Sequence, residues 1–336
     1  VSRLPRGAVA AGTALVVAFG LLALQGLGPW TALELLARGA FGDAPALCAT
    51  ARKLVPLLLC SAGVLLAFQA GLWNIGAEGQ LLAGALAAGA TGGATGHWLP
   101  ALVAGALGGA AWAALPAALA IWRRVPEVLS TLMLNGVALE LLRWLVTGPL
   151  QEPSRQFPQS AQLPAGARLP QVELARSAAL HLGLPIALLA TLLVGWLLTR
   201  TRFGLALRAG AQSPRLVLAL QLPLRRWRFL AFALGGALAG LAGAVEVTGV
   251  AGAVDRSLAS GVGYAAIAAA LLARLAASKL PAAALLFAAL AAGTTALQLQ
   301  ENLPGIDRFG LVLQGLVILA VLAGRRPATV DAEGGA

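Results

Sequence analysis

Asn74, Glu78 and Gln80 stand close together in an otherwise apolar part of the chain, within the string Gly71-Leu-Trp-Asn-Ile-Gly-Ala-Glu-Gly-Gln80. Two amides and a carboxylate can hydrogen-bond a polar solute, or they can satisfy backbone groups of neighbouring helices. Three glycines in the same string, Gly71, Gly76 and Gly79, permit backbone conformations and close helix approach that a side chain would block. The segment can therefore break between two spans, and broken helices at membrane depth usually line a cavity. It can equally be a tight helix joint whose polar groups only hold neighbours together, and spacing alone leaves both readings open. A second polar set, Asn135, Glu140 and Arg143, lies in the apolar run 127–147 and is costly in lipid unless it meets a partner or water. Glu140 and Arg143, three residues apart, share a helix face and can pair with each other.

The chain around these residues is a membrane protein by composition. Of its 336 residues 59% are hydrophobic and 11% charged, with a mean hydropathy of +0.83. Apolar windows of about 20 residues, each long enough to cross a hydrocarbon core as a helix, recur from end to end. They are continuous and rich in Ala and Leu, which excludes the short alternating segments of a β-barrel. The net charge of +11 fits loops that set orientation in the membrane, because no basic stripe is interleaved with the aromatics that stacking on nucleic acid needs. Cys48 and Cys60 are expected to pack unpaired, and His97 and His181 to be loop residues, since neither has a second ligand at metal spacing. No phosphate-binding Gly-Lys-Ser/Thr loop, Gly-x-Ser-x-Gly elbow or His-Glu-x-x-His pattern occurs. The expectation is a chain with no catalytic residues, cofactor or metal, which does not hydrolyse ATP by itself.

The expected fold is an all-α polytopic membrane protein of about ten transmembrane helices, a single domain over 1–336 with both termini cytoplasmic. The spans are placed near 8–27, 54–70, 81–95, 101–122, 127–147, 180–199, 229–250, 261–275, 280–297 and 309–323, the eighth being short for a full crossing. Small residues at Gly235, Gly236, Gly240 and Gly243 suit close helix contact in the seventh. Between the spans lie an outer interfacial segment (28–53), a long outer loop (148–179) rich in Pro, Gln and Ser, and a cytoplasmic tail (325–336). Residues 200–228 carry Arg200, Arg202, Arg208, Arg215, Arg225, Arg226 and Arg228 and no acid, which places them on the inner side.

The string Gly71 to Gln80, together with Pro126-Glu-Val-Leu-Ser-Thr-Leu-Met-Leu-Asn135, closely resembles the permeases of bacterial ABC importers for nucleosides and simple sugars, in the branched-chain-type superfamily. Gly39-Ala-Phe-Gly42, Pro56-Leu-Leu-Leu59 and Gly261-Val-Gly-Tyr264 look like further landmarks of that family. The Asp-Leu-Ser-Val-Gly signature of sugar-type relatives is missing, which tilts the resemblance to the nucleoside-type branch. The resemblance implies a type II importer permease in the bacterial cytoplasmic membrane. It would pair with a second, homologous or identical permease subunit, with ABC ATPase subunits and with an extracytoplasmic substrate-binding protein, and would contact membrane lipid but no nucleic acid. It places ATPase coupling on Arg208, Gly210, Gln212, Ser213, Pro214 and Arg215, although Ser213-Pro214 departs from the family's usual Asn-Pro. It places the translocation pathway on Trp73, Asn74, Glu78 and Gln80, with Asn135 and Gln298 as further members, and leads to the expectation that Asn74→Ala abolishes uptake while leaving complex assembly intact. The alternatives are a simple-sugar permease, an ion-coupled carrier using Glu78, Glu140 or Glu246, and a membrane scaffold.

Overall fold

The computed structural model describes residues 28–175, 178–212 and 223–301, with a few further positions between 12 and 23 and between 312 and 316. The expected first and tenth spans and the tail lie largely or wholly outside the described residues. The chain divides into two compact units, Asp43–Ala289 and a smaller one made of Val1–Gly42 with Leu290–Ala336.

In the smaller unit, helix α1 (Pro29–Phe41) opens on a proline, whose fixed φ suits the first helical turn. Its Glu34 and Arg38 pair at 2.7 Å on an exposed face. Gly39 lies against Gly293 and Ala296, where an added Cβ would overlap the Ala296 side chain.

The larger unit begins with α2 (Ala44–Gln69), whose start is fixed by the Asp43 side chain accepting from the Ala46 N–H at 2.7 Å. This helix starts ten residues before the span expected at 54–70, so Arg52 and Lys53 lie within it. Then follow α3 (Ala77–Thr95), α4 (Trp98–Arg123) and α5 (Glu127–Thr147). The turn between α3 and α4 is made by left-handed Gly96 and by His97, whose Nδ1 accepts from Leu99 N–H. The turn between α4 and α5 ends on Pro126, with the Val125 N–H bonded back to the Leu119 carbonyl. The long loop after α5 carries a hairpin, β1 (Gln171–Ala175) antiparallel to β2 (Ala178–His181), with Gln171 opposite His181. It is a small addition to an otherwise helical chain. Its apolar Val172 and Leu174 are both exposed, so no alternating burial announced it in the sequence. Next come α6 (Gly183–Arg200), α7 (Arg202–Gln212), α8 (Leu224–Glu246), α9 (Val262–Leu272) and α10 (Leu280–Glu301), the last running on into the smaller unit.

Helix α8 is the hub against which α2, α3 and α4 pack. Its expected small-residue stripe makes this possible: Gly235 meets Gly63 of α2, and Gly240 meets Gly84 of α3 and Gly105 and Gly109 of α4, backbone against backbone. Any Cβ on Gly240 would overlap the backbone of Gly105 and Gly109. Without a hydrophobic driving force between helices in lipid, such close van der Waals packing supplies much of the association.

Six described helices are long and apolar enough to cross a membrane: Ala44–Gln69, Trp98–Arg123, Glu127–Thr147, Gly183–Arg200, Leu224–Ala251 and Ala277–Gln298. The chain is thus a multi-pass helical membrane protein. Helix α3, 19 residues rich in Gly and Thr, stands between α4 and α8 without being apolar enough to join that set. The eighth expected span is a half-length helix of 11 residues, α9, preceded by irregular chain.

Candidate functional site

The break expected at Gly71 is there. Helix α2 ends as Gly71 takes a left-handed φ of 74°, and the Leu72 N–H bonds back to the Ala67 carbonyl at 3.1 Å, closing the helix with a Schellman-type turn. The chain then runs without helix from Leu72 until α3 begins at Ala77. Asn74 holds this turn: its Oδ1 accepts from the Gly76 N–H at 2.9 Å and from Gln80 Nε2 at 3.1 Å, while its Nδ2 donates to Gln80 Oε1 at 3.0 Å. The two amides are paired head to tail and are each about 1% exposed.

The first turn of α3 has backbone donors with no intrahelical partner. One of them, Gly79 N–H, is satisfied by Asn135 of α5, whose Oδ1 accepts it at 2.9 Å. Asn135 Nδ2 in turn donates to the Ile75 carbonyl at 2.9 Å and to the Tyr264 hydroxyl at 3.1 Å. Asn135 thus caps a neighbouring helix and reaches α9 with one amide. Space here is tight: a Cβ on Gly79 would lie 2.9 Å from Asn135 Oδ1 and 3.1 Å from Trp112 Nε1. The buried Trp112 Nε1 has no hydrogen-bond partner among the described residues.

Glu78 ties in the short helix. Its Oε1 accepts from Gly261 N–H at 2.9 Å and its Oε2 from Gly263 N–H at 2.6 Å, so both carboxylate oxygens cap the N-terminus of α9. Glu78 also sits in the first turn of α3, so the carboxylate lies at the start of two helices, where partial positive charge favours it. The other end of α9 is held by Gln69 of α2, whose Nε2 donates to the Leu275 carbonyl at 2.8 Å.

The structure therefore gathers Asn74, Glu78, Gln80 and Asn135 into one buried junction in which each side chain is engaged by protein. Trp73 differs. It is 51% exposed, its ring tilts against Phe68 at 4.7 Å, and its backbone N–H donates to Glu127 Oε1 at 3.3 Å. Tyr264, 42% exposed and absent from the expected site residues, joins it as a second exposed aromatic at the junction. It is the only tyrosine in the chain and closes the landmark string Gly261-Val-Gly-Tyr264, two signals that could have singled it out. Gln298 lies half-buried on α10, within the smaller unit. Glu140 and Arg143 pair at 2.6 Å on an exposed face of α5, as their spacing suggested.

Of the coupling residues, Arg208, Gly210 and Gln212 lie on α7, while Ser213, Pro214 and Arg215 lie outside the described residues. Helix α7 packs against the start of α8. Phe203 meets Trp227 at 5.9 Å between ring centres, Arg228 Nη2 donates to the Gly210 carbonyl at 3.3 Å, and a Cβ on Gly210 would crowd Leu224. Arg208 Nε bonds its own helix at the Gly204 carbonyl, 3.4 Å away.

The long loop between α5 and α6 is stitched to the chain that follows α8. Leu163 N–H bonds the Gly252 carbonyl, Ser160 N–H the Val254 carbonyl and Leu169 N–H the Thr248 carbonyl, at 2.8 to 2.9 Å. Gln171 Nε2 donates to the Gly249 carbonyl at 2.9 Å. His181, at the end of β2, is 4% exposed and accepts from Gly183 N–H through Nδ1 at 3.1 Å. Burial, assisted by the charge of Arg52, holds its imidazole below the ordinary range. In the same loop, Gln159 and Ser154 donate to Glu152 and keep that carboxyl below its usual value.

The family described as "Branched-chain amino acid transport system / permease component" matches residues 46–322. The glucose ABC transporter permease protein TsgB13 of Haloferax volcanii is 33% identical over 291 residues, 80% of this chain and 74% of that protein. The guanosine ABC transporter permease protein NupP of Bacillus subtilis is 31% identical over 284 residues, 79% of this chain and 78% of that protein. The putative glucose ABC transporter permease protein TsgC13 of Haloferax volcanii is 30% identical over 201 residues, 58% of this chain and 60% of that protein. No solved structure matches the chain.

Proposed function

Because the chain belongs to the branched-chain amino acid transport system / permease component family, we propose that it is the membrane-spanning permease subunit of an ATP-driven importer for a nucleoside or related small polar solute. The observation that carries this reading is the family match over 46–322. The buried junction of Asn74, Glu78, Gln80 and Asn135 supports it, because it interrupts helices within a bundle that crosses lipid, as pathway-lining elements do.

In this reading ATP is hydrolysed on separate ATPase subunits that dock on the inner face, and α7 with the residues after it receives their motion. A second permease subunit, homologous or identical, completes the pathway, and an extracytoplasmic binding protein delivers the solute. The membrane is the bacterial cytoplasmic membrane. The lack of the sugar-type signature favours nucleosides and agrees with the name of NupP, whereas the name of TsgB13 favours a simple sugar as the second reading. Among the pathway residues, Trp73 presents an exposed ring able to stack on a base or sugar face, while the buried four set the geometry around it.

Proteoliposomes containing the permease with its ATPase, supplied with the binding protein, decide between these. Labelled guanosine taken up only in the presence of ATP is the expected outcome, and glucose taken up in its place selects the second reading. Uptake that survives ATP depletion and collapses with an ionophore overturns both.

A further inference from the structure

Residues 252–261, between the outer end of α8 and the start of α9, form a polar wall that no sequence pattern announced. Its course is fixed by two contacts with α3. Val254 packs on Gly89, where an added Cβ would overlap the valine side chain, and Gly261 bonds to Glu78. Gly89 and Glu78 are some three helical turns apart, about 16 Å along the axis. The chain from Val254 to Gly261 therefore runs alongside α3, which itself packs between the membrane-crossing helices α4 and α8, with only one 3-10 turn, Arg256–Leu258, on the way.

Its two sides differ. Val254 and Leu258 are buried at 1% and 4% exposure, whereas Arg256, Ser257 and Ser260 are exposed, as is Tyr264 one turn into α9. Arg256 forms no ion pair among the described residues. Ser257 donates its hydroxyl to Asp255 Oδ1 at 2.6 Å and so presents its oxygen lone pairs outward. The Tyr264 oxygen accepts from Asn135, which leaves the phenol proton free to donate. Irregular backbone and exposed polar side chains at this depth are not tolerated against lipid, but they are tolerated where they line a water-filled cavity.

We propose that Arg256, Ser257, Ser260 and Tyr264 line the aqueous pathway as a hydrogen-bonding ladder from the outer loop down to the Glu78–Asn135 junction. Its chemistry suits a neutral solute rich in hydroxyl and carbonyl oxygens. Arg256 and Tyr264 donate to those oxygens, and Ser257 accepts from hydroxyls. The assignment rests on the importer reading and adds specific residues to it.

Single cysteines at Ser257 and Ser260 test the wall, with Cys48 and Cys60 of the parent chain serving as a buried, slow-reacting background. Leu192→Cys, on the exposed apolar face of α6, gives the lipid-facing reference. A membrane-impermeant thiol reagent is expected to modify S257C and S260C at least tenfold faster than L192C. Rates no faster than that of L192C overturn the proposal whether or not the complex transports anything, so failure of the wall is distinguishable from failure of the importer reading. Where the wild-type complex takes up labelled guanosine or glucose, R256Q and Y264F are expected to raise the KM for that solute roughly fivefold each, the worth of about one hydrogen bond, with the maximal rate largely kept. An unchanged KM in both variants overturns the assigned contacts.

Discussion

The buried amides and carboxylate of the junction have their hydrogen-bonding atoms turned toward protein, so their substitution should act first on folding. Asn135→Leu strands the Gly79 N–H and the Ile75 carbonyl and releases Tyr264. We expect a loss of about 2 to 4 kcal/mol, read as a lower Tm in detergent. Asn74→Ala removes three bonds at a site 1% exposed, so lost uptake should come with lost stability and not with an intact assembly. His181 gives a pH test. A histidine held below its ordinary value of 6.5 binds its proton more weakly folded than unfolded. Its influence on stability is therefore flat above that value and becomes destabilising as pH falls through and below it. Tm measured from pH 8 to 5 should decline less in His181→Gln than in the wild type. The junction was legible at this scale because Asn74, Glu78 and Gln80 are conspicuous in an apolar chain. That Glu78 caps α9 was not, since its partners are backbone N–H groups of glycines and leave no complementary side chain to notice. Tyr264 was legible as part of a landmark string, but its bond to Asn135 was not, because an aromatic in an apolar helix reads as packing.

At the scale of the element, the small-residue stripe of α8 was read correctly because close helix approach has a compositional signature. The half-helix α9 was read only as a short span, because the irregular chain that precedes it has none. Gly240→Leu should be severely destabilising, beyond the roughly 1 to 3 kcal/mol of ordinary overpacking, because the atoms its Cβ meets are backbone of α4, at Gly105 and Gly109. The complex carrying it should lose its cooperative thermal transition. On α5, Glu140 of the exposed Glu140–Arg143 pair lines an open groove of about 610 Å³ together with Met133, Gly136 and Trp144. Glu140→Leu leaves Arg143 uncompensated and should lower the yield of inserted protein, whereas the double change to Leu at both positions should restore it. A yield unaffected by the single change would mean that Arg143 finds another acceptor.

For the whole molecule, apolar windows of about 20 residues were enough to identify a multi-pass bundle, yet they misjudge where individual helices begin. Asp43 and Pro45 start α2 well before the hydrophobic run does, and Arg52 and Lys53 are carried inside it. Orientation is the property the importer reading needs most. Cysteines introduced at Arg202 and Leu205 of α7, both exposed, should react with impermeant reagent in inverted vesicles and not in intact cells. Labelling from outside would remove the inner face on which an ATPase could act. The fastening of α9 at both ends, by Glu78 of α3 and Gln69 of α2, also limits how such a machine can move. The half-helix cannot swing by itself without breaking a carboxylate's two bonds. In the importer reading, rocking of α2 and α3 would carry it as cargo, and the slack would be taken up by the irregular chain that precedes it, whose exposed rungs would then shift past the solute with every stroke.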